Sequence, residues 1–169
     1  MTDIPSTPAD GNSLSLFVPT LADPTKPKLT ELSAPSAIDL SCYLTGDGFV
    51  PSLDEQTIDD SRYCSTQDYE VPGRSKNGLT VKYIDNTNSP NAATMNKAVE
   101  TLPKGTTGYW VTRSGKPYTA PLAVGDKVTV RPITAMTQNE LPPEANSVFK
   151  IEQKLAITGP LQRKVAVVA

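Results

Sequence analysis

Lys127-Val128-Thr129-Val130-Arg131 decides the fold class. Polar and apolar residues alternate strictly, so the two valines face inward from an extended strand and the longer polar side chains face out. Its continuation, Ile133 to Thr137, is expected to bend at Pro132, because proline cannot donate to a sheet ladder. The same period recurs on both sides of it. Leu79, Val81 and Tyr83 share one face of Leu79–Ile84, and Asn77-Gly78 just ahead is a hairpin-type turn signal. Ile38, Leu40 and Cys42 share a face of Ile38–Leu44. Leu14–Val18 alternates as well, and Thr106–Arg113 carries Tyr109-Trp110-Val111. Arg62–Val71 reads as a strand stopped by Pro72-Gly73-Arg74. Ser147–Thr158 reads as a long strand whose alternation slips near Gln153-Lys154, which predicts a bulge there.

Helical spacing is scarce. Met95, Ala98, Val99 and Leu102 fall at i, i+3, i+4 and i+7, which predicts one helix over 92–102, stopped by Pro103 and Gly105. Leu29–Leu32 fits a single turn. The fold class is therefore mainly β: a sandwich or barrel of about seven strands with one flanking helix. The 169 residues suit one domain. Residues 1–28, spaced by prolines, read as an extended arm with one strand in it. Residues 29–160 form the domain, and 161–169 form an apolar, β-branched tail. Thr45–Ser61, with its glycines, Pro51 and two acidic pairs, reads as a long loop, which in a compact domain is usually functional or disordered.

Composition removes much chemistry. The chain contains no histidine, so Ser-His and Cys-His catalysis and every His-based metal site are excluded. Two cysteines, Cys42 and Cys64, are too few for a Cys-only zinc site. With no signal-like segment at residues 1–10 they are expected to be reduced, small core residues of a cytosolic protein. Asp54-Glu55 and Asp59-Asp60 lie in a polar stretch with no apolar surround to split their pKa values. They read as a solvated or interface face ahead of an ion site. Ser114-Gly115-Lys116 lacks the spacing of a phosphate loop. A net charge of −2 disfavours a nucleic-acid grip, and no run of 18 apolar residues exists to span a membrane. Neither cofactor nor catalytic residues are expected.

Three segments have no evident partner within one small domain: the arm, the acidic loop and the apolar tail. An open apolar strand needs cover, and another copy of the chain is the simplest cover. Several runs then carry a resemblance: Leu40-Ser41-Cys42-Tyr43-Leu44-Thr45, Asp54 to Arg62, Cys64-Ser65-Thr66, Pro72-Gly73-Arg74, Leu79 to Tyr83, Leu102 to Tyr109 and Pro142 to Ser147. Over roughly residues 14–160 the sequence resembles the major tail (tail tube) proteins of siphophages, the long-tailed, non-contractile bacteriophages, especially those infecting actinobacteria.

The resemblance implies a structural virion protein that assembles in the host bacterial cytoplasm. It implies homohexameric rings stacked into a hollow tube for DNA ejection, with viral DNA passing without sequence preference. The tape measure protein and other tail proteins are the implied partners. Ring or lumen contacts are then expected at Leu16, Phe17 and Val18 of the arm, at Asp54, Glu55, Asp59 and Asp60 of the loop, and at Val165 and Val167 of the tail. The alternative is a β-sandwich binding module, such as a virion decoration protein or a host-surface adhesin.

Overall fold

Every strand of the computed structural model, which describes residues 4–169, joins one antiparallel sheet. The elements run β1 (Ser13–Val18), α1 (Leu29–Leu32), β2 (Ile38–Asp39), β3 (Leu44–Asp60), β4 (Tyr69–Ile84), α2 (Lys97–Thr101), β5 (Thr107–Ser114), β6 (Lys127–Glu140), β7 (Lys150–Ile157) and β8 (Gln162–Ala166). The order across the sheet is β2-β1-β5-β6-β7-β4-β3, and β8 pairs with the first half of β6. The sheet is curled into a half-barrel. The mainly-β expectation holds.

Both faces of the central strands are covered, as their alternation requires. One face gathers Phe17, Trp110, Ile133, Leu79, Val81, Tyr83 and Leu155 beneath α2, which contributes Ala98 just ahead of Leu102. The other gathers Leu14, Leu16, Val18, Val111, Val128 and Val130, with Leu32 of α1 and Val167 of the tail. The paired valines of the opening stretch thus point inward as their spacing demands.

One strand of the expected arm belongs to the core. Ser13–Val18 pairs in full with β5, β2 lies beside it at Leu16 and Phe17, and Leu14–Val18 are buried. Of the expected arm, Met1–Asp3 lie outside the described residues. The expected tail is likewise held by its own chain: β8 lies on β6, the Val168 amide donates to the Pro27 carbonyl at 2.9 Å, and the Leu29 amide donates to the Val168 carbonyl at 2.8 Å.

The expected loop 45–61 is instead strand. β3 pairs with β4 from Leu44 to Asp60, so Asn77-Gly78 lies mid-strand and the reversal falls at 61–68. Gly78 serves close approach: a Cβ there would sit 2.5 Å from Ser52 Oγ. Pro51 and Pro72 are tolerated because β3 is an edge strand and β4 lacks a second neighbour at Pro72. The strand expected over 62–71 begins only at Tyr69, and the strand expected over 38–44 ends at Asp39.

β6 continues unbroken through Pro132. The Pro132 carbonyl accepts from the Thr158 amide at 3.1 Å, on the side where β7 gives way to β8, so the missing donor falls at a break in the ladder. The helix expected over 92–102 shortens to α2, and Met95 is exposed. Asn96 is the reason: its side chain accepts from the Asn86 amide and donates to Thr87 Oγ1, holding a local turn that competes with helix.

The slip read near Gln153-Lys154 has a different cause. Ile151, Gln153 and Leu155 all point inward, and Gln153 is a buried polar residue in register. Its Nε2 donates to the Leu102 carbonyl at 2.8 Å and to the Met136 carbonyl at 2.7 Å, while the Tyr83 hydroxyl donates to its Oε1 at 2.9 Å. Burial pushes the Tyr83 phenol up, which keeps that proton in place. The bulge lies opposite, on β6 between Ala135 and Gln138.

Candidate assembly surface

β3 and β4 outlast the sheet that supports them. β7 covers β4 only from Leu79 to Ile84. Beyond that, Ser52–Asp60 and Tyr69–Gly78 pair only with each other, as a two-stranded ribbon about 30 Å long at about 3.3 Å per residue. Residues directly opposite in an antiparallel pair share a face. β4, however, carries one extra residue opposite Gln56, between Pro72 and Ser75, so its alternation breaks there while that of β3 continues. Leu53, facing Asn77, lies on the side of Leu79, Val81 and Tyr83, whereas Ile58, facing Val71, and Tyr69 lie on the other side. Gly73 permits the extra residue, since a Cβ there would meet the Gln56 carbonyl oxygen at 2.7 Å.

The ribbon exposes apolar side chains on both faces. Leu53 continues the core face of the sheet and Ile58, Tyr69 and Val71 lie on the other, yet the four are 50%, 58%, 56% and 47% exposed. Asp54, opposite Lys76, shares the face of Ile58, and Asp59, opposite Glu70, shares the face of Leu53. A two-stranded ribbon is marginal in water on its own, and an exposed apolar strand is a template for association. The arrangement calls for a second surface.

Asp54, Glu55 and Asp59 stand exposed along this ribbon. Asp60 is held by its neighbour: Arg62 Nε donates to one carboxylate oxygen at 2.5 Å and Nη2 to the other at 2.9 Å. The four do not converge. Among the described residues no group of three or more His, Cys, Asp or Glu side chains is placed to hold a metal ion. Leu16, Phe17 and Val18 are 7%, 3% and 1% exposed inside their own sheet, and Val167 is buried with them. While that sheet is intact these four offer no surface to a neighbour. Val165 is half-buried against the same core. Cys42 and Cys64 are exposed free thiols rather than core residues.

The sequence reading missed two buried arginines. Arg113 donates from Nη2 to the Pro117 carbonyl at 2.8 Å, and from Nη1 to the Pro121 carbonyl at 3.2 Å and to Asp126 Oδ2 at 3.4 Å. Lys116 and the Ala123 amide also donate to Asp126. The group staples the 115–126 segment onto β5 and β6. Arg131 lies over the Phe49 ring, 5.2 Å from its centroid, and donates from Nη1 to Thr112 Oγ1 at 3.0 Å. Desolvation, and then the charge of Arg163, push its guanidinium down. A long cationic side chain on an alternating strand reads as surface, so neither arginine carries a sequence signal of burial.

A single curled sheet extended by an unsupported ribbon leaves apolar surface to be covered. The family names its class. The phage tail tube protein family matches over residues 1–169, and the chain belongs to that family, as a structural component of the phage tail. The fold is similar to that of a chain in the anti-feeding prophage (AFP) baseplate, known from a 6-fold symmetrised cryo-EM structure. The TM-score is 0.52 at 10% identity, covering 95% of this chain and 96% of that one. No curated protein matches the sequence.

Proposed function

We propose that the protein self-assembles into rings of six that stack into the tail tube of a siphophage, the conduit for DNA ejection. The observation that carries this is the ribbon. It projects beyond the sheet that supports its base, with Ile58, Tyr69 and Val71 exposed on one face and Leu53 on the other. Neighbouring copies that cover these side chains bury apolar surface and shield an exposed edge. Obligate interfaces of this kind bury more than about 2,000 Å². Sixfold symmetry is carried over from the AFP baseplate, whose chain shares the fold. A lumen that is acidic on balance lets DNA pass without sticking, which accords with a net charge of −2. The tape measure protein and other tail proteins are the further partners, and assembly takes place in the host bacterial cytoplasm.

Sedimentation velocity tests the role of the ribbon. Replacing residues 56–74 with an Asn-Gly turn shortens it to its supported base. The full chain should form large, concentration-dependent species and the shortened chain a folded monomer. Equal assembly by both chains would refute the reading.

A further inference from the structure

Where β6 changes partner from β7 to β8, the sheet has a notch of about 200 Å³, lined by Ser52, Asn77, Gly78, Leu161 and two arginines, Arg131 and Arg163. Arg131 is only 9% exposed. Arg163 is exposed and donates from Nη2 to Asn77 Oδ1 at 3.0 Å. Two features hold Arg163 at the rim. β8 carries an extra residue opposite Val128–Val130, and Lys164 takes a φ of 51° at that bulge. Bulges of this kind re-aim side chains, and a positive φ at a lysine persists only where the surroundings enforce it.

Among the described residues neither arginine has a carboxylate within ion-pair distance, although acidic residues outnumber basic ones in the chain. Arg131 has the Phe49 ring and the Thr112 hydroxyl but no counter-charge, and a buried cation without one is costly, more so beside a second cation. The complementary defect lies on the ribbon. Asp59 and Glu70 are directly opposite each other, a like-charge pair that destabilises the strands carrying it, and neither has a cation partner among the described residues. The two defects cannot cancel within one chain. Ser52 lies at the notch and Asp59 is seven residues further along an extended strand, about 23 Å away.

We propose that the Arg131–Arg163 notch receives the Asp59–Glu70 pair of a second copy of the chain, as the ionic contact between subunits. The proposal rests on the self-assembly reading and gives it a specific contact. Ile58, Tyr69 and Val71 remain free for the neighbour that covers them, because Asp59 and Glu70 lie on the other face of the ribbon. Arginine suits the role, since its planar fork stays charged when buried and takes carboxylate oxygens two at a time.

A charge swap tests this on the full chain. Arg163→Glu changes an exposed side chain and should leave the fold intact by circular dichroism. It should raise the protein concentration needed for assembly about ten-fold or more, as truncating a desolvated interfacial pair does. Glu70→Arg should do the same, and the double variant should recover most of the loss. Single variants that assemble like wild type, or a double variant no better than either single, would overturn the pairing while leaving tube assembly standing. Wild type that never assembles would overturn both. A fluorescent DNA duplex provides the other arm. Binding by wild type that Arg163→Glu abolishes would make the notch a phosphate site and overturn the carboxylate assignment. Equal, weak binding by both supports it.

Discussion

Asp126→Asn tests how the buried charges hold the 115–126 segment. Arg113 and the Asp126 side chain are 2% and 4% exposed, so the pair sits out of water with Lys116 reaching in from a half-exposed position. Removing one partner of a buried ion pair costs about 3–5 kcal/mol, because the other charge stays behind. Arg113 keeps two carbonyl acceptors, from Pro117 and Pro121, which favours the lower end, about 3 kcal/mol. In a chain of this length each kcal/mol moves Tm by about 2–4 °C, so the variant should melt about 6–12 °C below wild type at pH 7.

The difference should depend on pH with a definite sign. The Asp126 carboxyl is held below its ordinary value, chiefly by the hydrogen bond from Lys116, with burial opposing. A group whose folded pKa is depressed stabilises above its unfolded pKa, about 3.9, and that contribution is lost as pH falls through the folded value. Melting curves followed by circular dichroism should therefore begin to converge for wild type and variant as pH falls below about 4. Replacing both partners, as Arg113→Met with Asp126→Leu, should recover most of the stability. A single variant within about 0.5 kcal/mol of wild type at pH 7, the scatter of ordinary surface changes, would refute the argument.

Gln153→Leu should cost about 2–3 kcal/mol in urea unfolding, because the Tyr83 hydroxyl and the carbonyls of Leu102 and Met136 lose their shared partner; a shift in midpoint too small to measure would show that water replaces it. Deleting residues 1–28 should abolish the cooperative thermal transition. It removes Leu14, Leu16, Phe17, Val18 and Leu21 from the core at about 1.5–3 kcal/mol each, which rivals the whole stability of a domain; a folded monomer after that deletion would restore the arm reading. Changing Asp54, Glu55, Asp59 and Asp60 together to Lys should leave the circular dichroism spectrum unchanged and reduce sedimentable assemblies, since all four lie along the ribbon; unchanged assembly would remove the acidic side chains from the contacts.

The sequence was most legible where period and burial agree. Val128 and Val130, Leu79, Val81 and Tyr83, and the turn at Leu29–Leu32 fall where their spacing puts them. Legibility failed where a residue serves a partner distant in sequence. Gly78 looks like a turn and makes room for Ser52. Gln153 looks like a break in alternation and is the hub beneath α2. The acidic segment 45–61 looks like a loop, because proline, glycine and carboxylates are poor strand formers, yet it is strand wherever β4 lies beside it. Of the residues expected at contacts, the acidic ones lie on the ribbon. The apolar ones at Leu16–Val18 and Val167 are core, because no local pattern separates a strand that awaits another chain from one that pairs with β5 or lies beside Asp126. The side on which Val71 lies is hidden in the sequence, because the extra residue on β4 between Pro72 and Ser75 turns Val71 away from the face of Leu79.

Negative-stain electron microscopy of the purified full-length chain tests the central claim most directly. The account predicts hollow rings that stack into tubes of constant width. A uniform field of isolated, compact particles, persisting at concentrations well above those at which obligate oligomers form, would contradict it.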